Sequence, residues 1–181
     1  LARVTNSTLD EGTTVQVLAL NVVGGSGSRS STPTSSDAPL KLKAGARLVV
    51  GNGTDPAYVL MNSDGPTTTA AIKGEGTLDF GDSEGVVMVN RRPDACLMAK
   101  IVGNGGVTFA GPSDQNGQSL HLGANEYSGG TWINSLCVYP HAGTSFGTGD
   151  VYVGGGDYSG GRIVVSAGLD KMTFANKLHL S

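Results

Sequence analysis

A phrase of this chain occurs twice. Tyr127-Ser128-Gly129-Gly130 runs into Thr131-Trp132-Ile133, and Tyr158-Ser159-Gly160-Gly161 runs into Arg162-Ile163-Val164, a step of 158 − 127 = 31 residues. A second phrase repeats upstream: Ile72 to Phe80 (IKGEGTLDF) aligns with Ile101 to Phe109 (IVGNGGVTF), a step of 101 − 72 = 29. Self-similarity at a fixed period of about 20–50 residues marks a stacked repeat architecture. The repeating pieces are short, β-branched and punctuated by glycine, so the stack they predict is all-β. Three short strands and three turns consume about 30 residues, one coil of a parallel β-helix whose strands pair with the coils above and below, about 4.8 Å away.

Composition supports this reading. Glycine takes 29 of 181 positions, about twice its average usage of roughly 7%, and sits between strand candidates as turn punctuation. The chain is rich in Val and Thr and carries a net charge of only −3, which separates it from disordered sequences. From Leu40 onward strand candidates recur about every ten residues: 47–50, 58–61, 77–80, 86–89, 96–102, 106–109, 119–122, 131–134, 136–139, 150–153, 162–166, 171–174 and 177–180. No window carries a sustained helical apolar period with caps. Residues 1–23 read as two strands around Asp10-Glu11-Gly12, and 24–37 as a Gly/Ser/Thr-rich arm. The expected organisation is therefore an N-terminal part, 1–39, followed by a rod, 40–181.

Several functions are excluded or left without support. Twelve Lys and Arg residues spread thinly over an acidic chain leave no nucleic-acid footprint. No apolar run approaches the ~18 residues of a membrane helix. Two cysteines, Cys96 and Cys137, match no zinc spacing and are read as small apolar residues, with a bond between neighbouring coils as the alternative. His121, His141 and His179 have no ligand spacing, and Gly51-Asn52-Gly53-Thr54-Asp55 reads as an Asx-type turn rather than a calcium loop. No cofactor is expected. The chain opens at Leu1-Ala2-Arg3 and stops within a strand-like piece, so it reads as part of a longer polypeptide.

The run from Ile101 to Gly111, then Asn125-Glu126-Tyr127-Ser128-Gly129-Gly130-Thr131-Trp132-Ile133-Asn134, then Ser145-Phe146-Gly147-Thr148-Gly149-Asp150-Val151-Tyr152-Val153, resembles the autotransporter-associated β-strand repeat. That repeat is found in passenger domains of bacterial type V secreted proteins and related large surface proteins. The resemblance is specific over about 100–155, degraded over 71–82 and 156–175, and absent over 1–40. It departs from the family in its two cysteines, in Ser135-Leu136-Cys137-Val138 replacing a Gly-Gly-Thr-Leu strand, and in Trp132 and Ile163 at usually polar positions. It implies a right-handed, single-stranded parallel β-helix, an extracellular or cell-surface location, and a structural or adhesive role without catalytic residues.

Two faces stand out as candidates. Trp132 and Ile163, equivalent in the 31-residue alignment, would form an exposed apolar stripe that packs on another copy, on other parts of the same polypeptide, or under a loop of its own chain. The charged neighbourhood Glu75, Asp79, Asp82, Glu84, Arg91 and Arg92 carries the rival expectation of a carbohydrate-active or carbohydrate-binding β-helix, with surface glycans as ligands, because paired carboxylates about 5–9 Å apart could hydrolyse a glycoside. Alternation points the Asp79 carboxylate outward there. Leu78, Phe80, Val107, Phe109, Ile133 and Val164 are expected in the core, with Phe80 stacked in the column of Phe109.

Overall fold

In the computed structural model the described residues are 1–24, 38–63, 69–90, 95–111, 119–154, 160–165 and 172–181. Among them the chain is all-β, without a helix. Every strand pair is parallel, and the strands fall into three sheets. Sheet A holds β1 (Ala2–Val4), β4 (Ala19–Gly24), β7 (Ala57–Ser63), β10 (Gly85–Asn90), β13 (Val107–Ala110), β15 (Thr131–Asn134), β17 (Val151–Val153) and β19 (Leu178–Leu180), in that spatial order. Sheet B runs from β2 (Ser7–Leu9) through β5 (Leu40–Leu42), β8 (Ala71–Lys73), β11 (Ala95–Leu97), β14 (Ser119–Leu122) and β16 (Cys137–Pro140) to β18 (Arg162–Ile163). Sheet C holds β3 (Thr14–Val17), β6 (Arg47–Val50), β9 (Thr77–Asp79) and β12 (Lys100–Val102). The chain visits A, then B, then C, and returns to A. Each strand therefore pairs with its counterpart one circuit away, which is why the sheets are parallel throughout.

The register makes the core a set of columns. Leu20, Val59, Val87, Phe109, Ile133, Val153 and Leu180 lie in line across sheet A. All but the last two are buried. Neighbouring residues along each strand alternate to the opposite side, so Tyr58, Val86, Thr108, Trp132, Tyr152 and His179 form an outward column beside it. Circuits differ in length: Val87 to Phe109 spans 109 − 87 = 22 residues, whereas Leu20 to Val59 spans 59 − 20 = 39. The longest connection joins sheet A to sheet B, between β4 and β5. The arm expected over 24–37 falls in it and, beyond Gly24, lies outside the described residues. Strands β1–β4 pair directly into the same sheets as the rest. The boundary drawn at 39/40 thus runs inside one sheet system.

Three sequence expectations are corrected here. Residues 96–102 form two strands: Met98 and Ala99 both donate backbone N–H groups to the Ile72 carbonyl, at 2.9 and 3.2 Å, and the chain turns there without Gly or Pro. The first 24 residues likewise hold four strands rather than two. Phe80 is buried, as are Leu78, Val107, Phe109 and Ile133, but it does not share a column with Phe109. Phe109 lies opposite Val87 in sheet A, while Phe80 follows β9 in sheet C and donates its N–H to Val102. The 29-residue alignment joins phrases that occupy different sheets.

Sheet C ends at β12, and the third side continues as turns held by side chains. Asn125 replaces a ladder rung: its Oδ1 accepts the Ile101 N–H at 2.8 Å, and its Nδ2 donates to the carbonyls of Ser145 (2.6 Å) and Gly123 (3.1 Å). Tyr127 is fully buried, and its hydroxyl lies 2.6 Å from Thr131 Oγ1, which itself donates to the Phe146 carbonyl at 3.1 Å. Gly147 has φ +61°, and a Cβ there would run into the Tyr127 carbonyl and ring; only glycine combines that backbone with so close an approach. Asn176, two circuits on, uses the donor half of the device, its Nδ2 donating to the Gly149 carbonyl at 2.7 Å.

Candidate functional site

The outer face of sheet A carries three exposed large apolar side chains, on β7, β10 and β15. Tyr58 is 50% exposed, Met88 45% and Trp132 38%. At the far end they pass into a ring ladder. Trp132 stacks on Tyr152 with centroids 5.2 Å apart and planes 9° apart, and Tyr152 stacks on His179 at 4.5 Å and 11°. His179 Nε2 meets Asp150 Oδ2 at 2.9 Å. The ladder follows from parallel register, which sets like positions one strand spacing apart. Trp132 lies over Gly106 and Gly130, where any Cβ would collide with its ring.

Ile163 is not part of this face. It sits in β18 of sheet B, opposite buried Val138, and packs toward the core. Val164, expected inside, comes one residue later and alternates to the other side, half-buried. The stripe expected from Trp132 and Ile163 does not form, because the repeated Tyr-Ser-Gly-Gly phrase precedes a sheet A strand in one case and a sheet B strand in the other. Trp132 does face outward, and its stacking partner is Tyr152. The three-residue echo between Val151-Tyr152-Val153 and Leu178-His179-Leu180 is a true register match. Its relative Leu120-His121-Leu122 belongs to sheet B.

The charged neighbourhood disperses into separate local contacts. The Asp79 carboxylate, expected outward, is buried: Oδ2 pairs with the Arg47 guanidinium, and Oδ1 accepts the Gly81 N–H at 2.7 Å. Asp82 accepts from Asn104 Nδ2 at 2.7 Å, and Glu84 accepts from Thr108 Oγ1 at 2.6 Å. Glu75 is exposed. Arg91 and Arg92 lie outside the described residues. Each buried or bonded carboxylate is thus occupied by a different structural partner. The Asn52 turn is as expected, with Oδ1 accepting from the N–H groups of Thr54 and Asp55 at 3.0 Å.

A second cluster was missed in sequence. On the outer face of sheet B, His121 in β14 stacks on Tyr139 in β16 (5.1 Å, 16°) and approaches His141, with Nδ1 of the first 2.9 Å from Nε2 of the second. Partial burial, with His121 close by, holds the His141 imidazole below its ordinary pKa, so the neutral form is favoured. The 20-residue separation gave no motif; parallel pairing of β14 with β16 is what joins the two rings. Cys96 and Cys137 are not bonded to each other. They lie in β11 and β16, two strands and so at least about 9.6 Å apart across β14, beyond disulfide reach.

No family model matches this chain, and neither the curated proteins nor the solved structures include a match.

Proposed function

We propose that this chain is a segment of a right-handed parallel β-solenoid, serving as a structural or adhesive module of a secreted or cell-surface bacterial protein. The outer face of sheet A is its contact surface. The cyclic A–B–C order of parallel strands supports the solenoid, and the near-universal handedness of parallel crossovers supports the right hand. The resemblance to autotransporter repeats supports the location and role: Asn125, Tyr127, Thr131, Phe146 and Gly147, drawn from its motifs, interlock as one packing unit.

One observation carries the contact surface. Parallel sheets are ordinarily covered on both faces, yet here Tyr58, Met88 and Trp132 stand exposed on the outward side of one sheet. Their gathering on one face favours an interaction surface there, and the partner is another copy or another part of the same polypeptide. The ring ladder counts against the rival glycan platform. Sugars stack on open ring faces, and the faces of Trp132, Tyr152 and His179 are turned toward one another. Sedimentation velocity over a range of concentrations tests the proposal. Trp132→Ser, alone and with Met88→Ser, should weaken self-association while β-type circular dichroism is kept. A wild-type chain that stays monomeric at every concentration, and adheres to no surface, would overturn it.

A further inference from the structure

We propose that His121 Nδ1 and His141 Nε2 form an open binding site for a borderline divalent transition-metal ion, with Cu2+ held more tightly than Ni2+ or Zn2+. The inference is independent of the solenoid's role. It starts from register: the N–H of His141 bonds the Leu122 carbonyl at 2.9 Å, continuing the β14–β16 ladder by one rung and placing His141 beside Gly123. His121 and Tyr139 lie opposite each other in that ladder. The two rings sit diagonally across this pair of strands, and the His141 ring reaches His121. Both rings project on the same outer side and are only half-buried, which leaves an approach for a hydrated ion.

The spacing suits chelation. Two metal–nitrogen bonds of about 2.0–2.1 Å enclosing an angle of about 90–109° put their nitrogens about 2.9–3.3 Å apart; the two ring nitrogens here are 2.9 Å apart. Without metal one nitrogen donates a proton to the other. To bind, that proton moves to the remaining nitrogen of its own ring, both rings stay neutral, and each turns so that the two lone pairs converge on one point. Tyr139, stacked on His121, limits that ring's freedom and so lowers the ordering cost.

Two imidazoles define the class of ion. Nitrogen donors favour the later first-row metals, with Cu2+ at the top of the order, over Ca2+ and Mg2+. Among the described residues no group of three or more His, Cys, Asp or Glu side chains converges. The remaining coordination positions belong to water, so the site is open rather than a closed structural one.

Calorimetric titration of tag-free protein with CuCl2, NiCl2, ZnCl2 and CaCl2, in a non-coordinating buffer at neutral pH, tests this. The expected result is one equivalent of Cu2+, weaker Ni2+ and Zn2+, and no Ca2+. His121→Gln and His141→Gln should each lower Cu2+ affinity by at least about tenfold, the least that loss of even an outer-shell partner costs, with unchanged circular dichroism. His179→Gln should leave it unaltered. Electron paramagnetic resonance of the Cu2+ complex should show nitrogen coupling that weakens in either His121 or His141 variant. Absence of saturable Cu2+ binding, or binding that survives both single substitutions or is lost with His179, overturns the proposal.

Discussion

Replacing Tyr127 with Phe removes one oxygen from the centre of the turn system that succeeds sheet C. Thr131 Oγ1 has a single proton and spends it on the Phe146 carbonyl, so the Tyr127 hydroxyl is the donor in their 2.6 Å contact. Its loss removes one buried hydrogen bond and leaves no donor orphaned, which places the cost at about 1 kcal/mol rather than the 3–5 kcal/mol of a large-to-small core substitution. For a chain of this length that lowers the thermal midpoint by about 2–4 °C. The same phenol sets a pH dependence. Burial raises its pKa well above the ordinary value of 10.0. The folded state therefore disfavours the phenolate. Stability is unaffected below about pH 10 and falls as pH rises beyond it, by up to about 1.4 kcal/mol per pH unit. Urea denaturation followed by far-ultraviolet circular dichroism at pH 8, 10 and 11, on wild type and Tyr127→Phe, isolates this phenol, since the other tyrosines cancel in the difference. Wild type should be the more stable at pH 8, and its advantage should shrink or reverse by pH 11. A pH-independent difference, or a Phe variant as stable as wild type at pH 8, would refute the buried, donating hydroxyl.

Asn125→Asp retains an acceptor for the Ile101 N–H but places a carboxylate against the Gly123 and Ser145 carbonyls; it should destabilise by about 1–3 kcal/mol and fail to rescue Asn125→Ala, as read from urea midpoints. Asp79→Ala strands the Gly81 N–H and removes the partner of Arg47, so a loss of about 1–3 kcal/mol is expected with no change in sedimentation behaviour; an altered association state with intact stability would move Asp79 from scaffold to interface. The Trp132→Ser substitution should act in the opposite sense, on association rather than on stability.

Strand positions were largely legible because their causes are local. Arg47–Val50, Ser119–Leu122 and Thr131–Asn134 emerge where the period-two pattern and flanking turn residues place them. The corner at Met98-Ala99 was not, since no Gly or Pro marks it. The corner at Ser135, with φ +53°, is another turned by a non-glycine residue. Burial of Phe109 and Ile133 followed from alternation, whereas burial of Asp79 did not, because its partner Arg47 lies 32 residues away on a neighbouring strand.

Composition and self-similarity by themselves determined that the described residues form short strands and no helix, and that like segments stack. Tertiary structure alone decided which segments are alike. Every corner of such a chain uses the same glycine-and-strand vocabulary, so Ile72–Phe80 matches Ile101–Phe109 in letters although Ile72 lies in sheet B and Ile101 in sheet C. A column is defined by hydrogen bonding between circuits of unequal length, and it is this pairing that set Trp132 on Tyr152 rather than on Ile163 and brought His121 to His141. Local propensity cannot encode that choice, because a one-residue slip leaves every strand intact while exchanging its inner and outer faces.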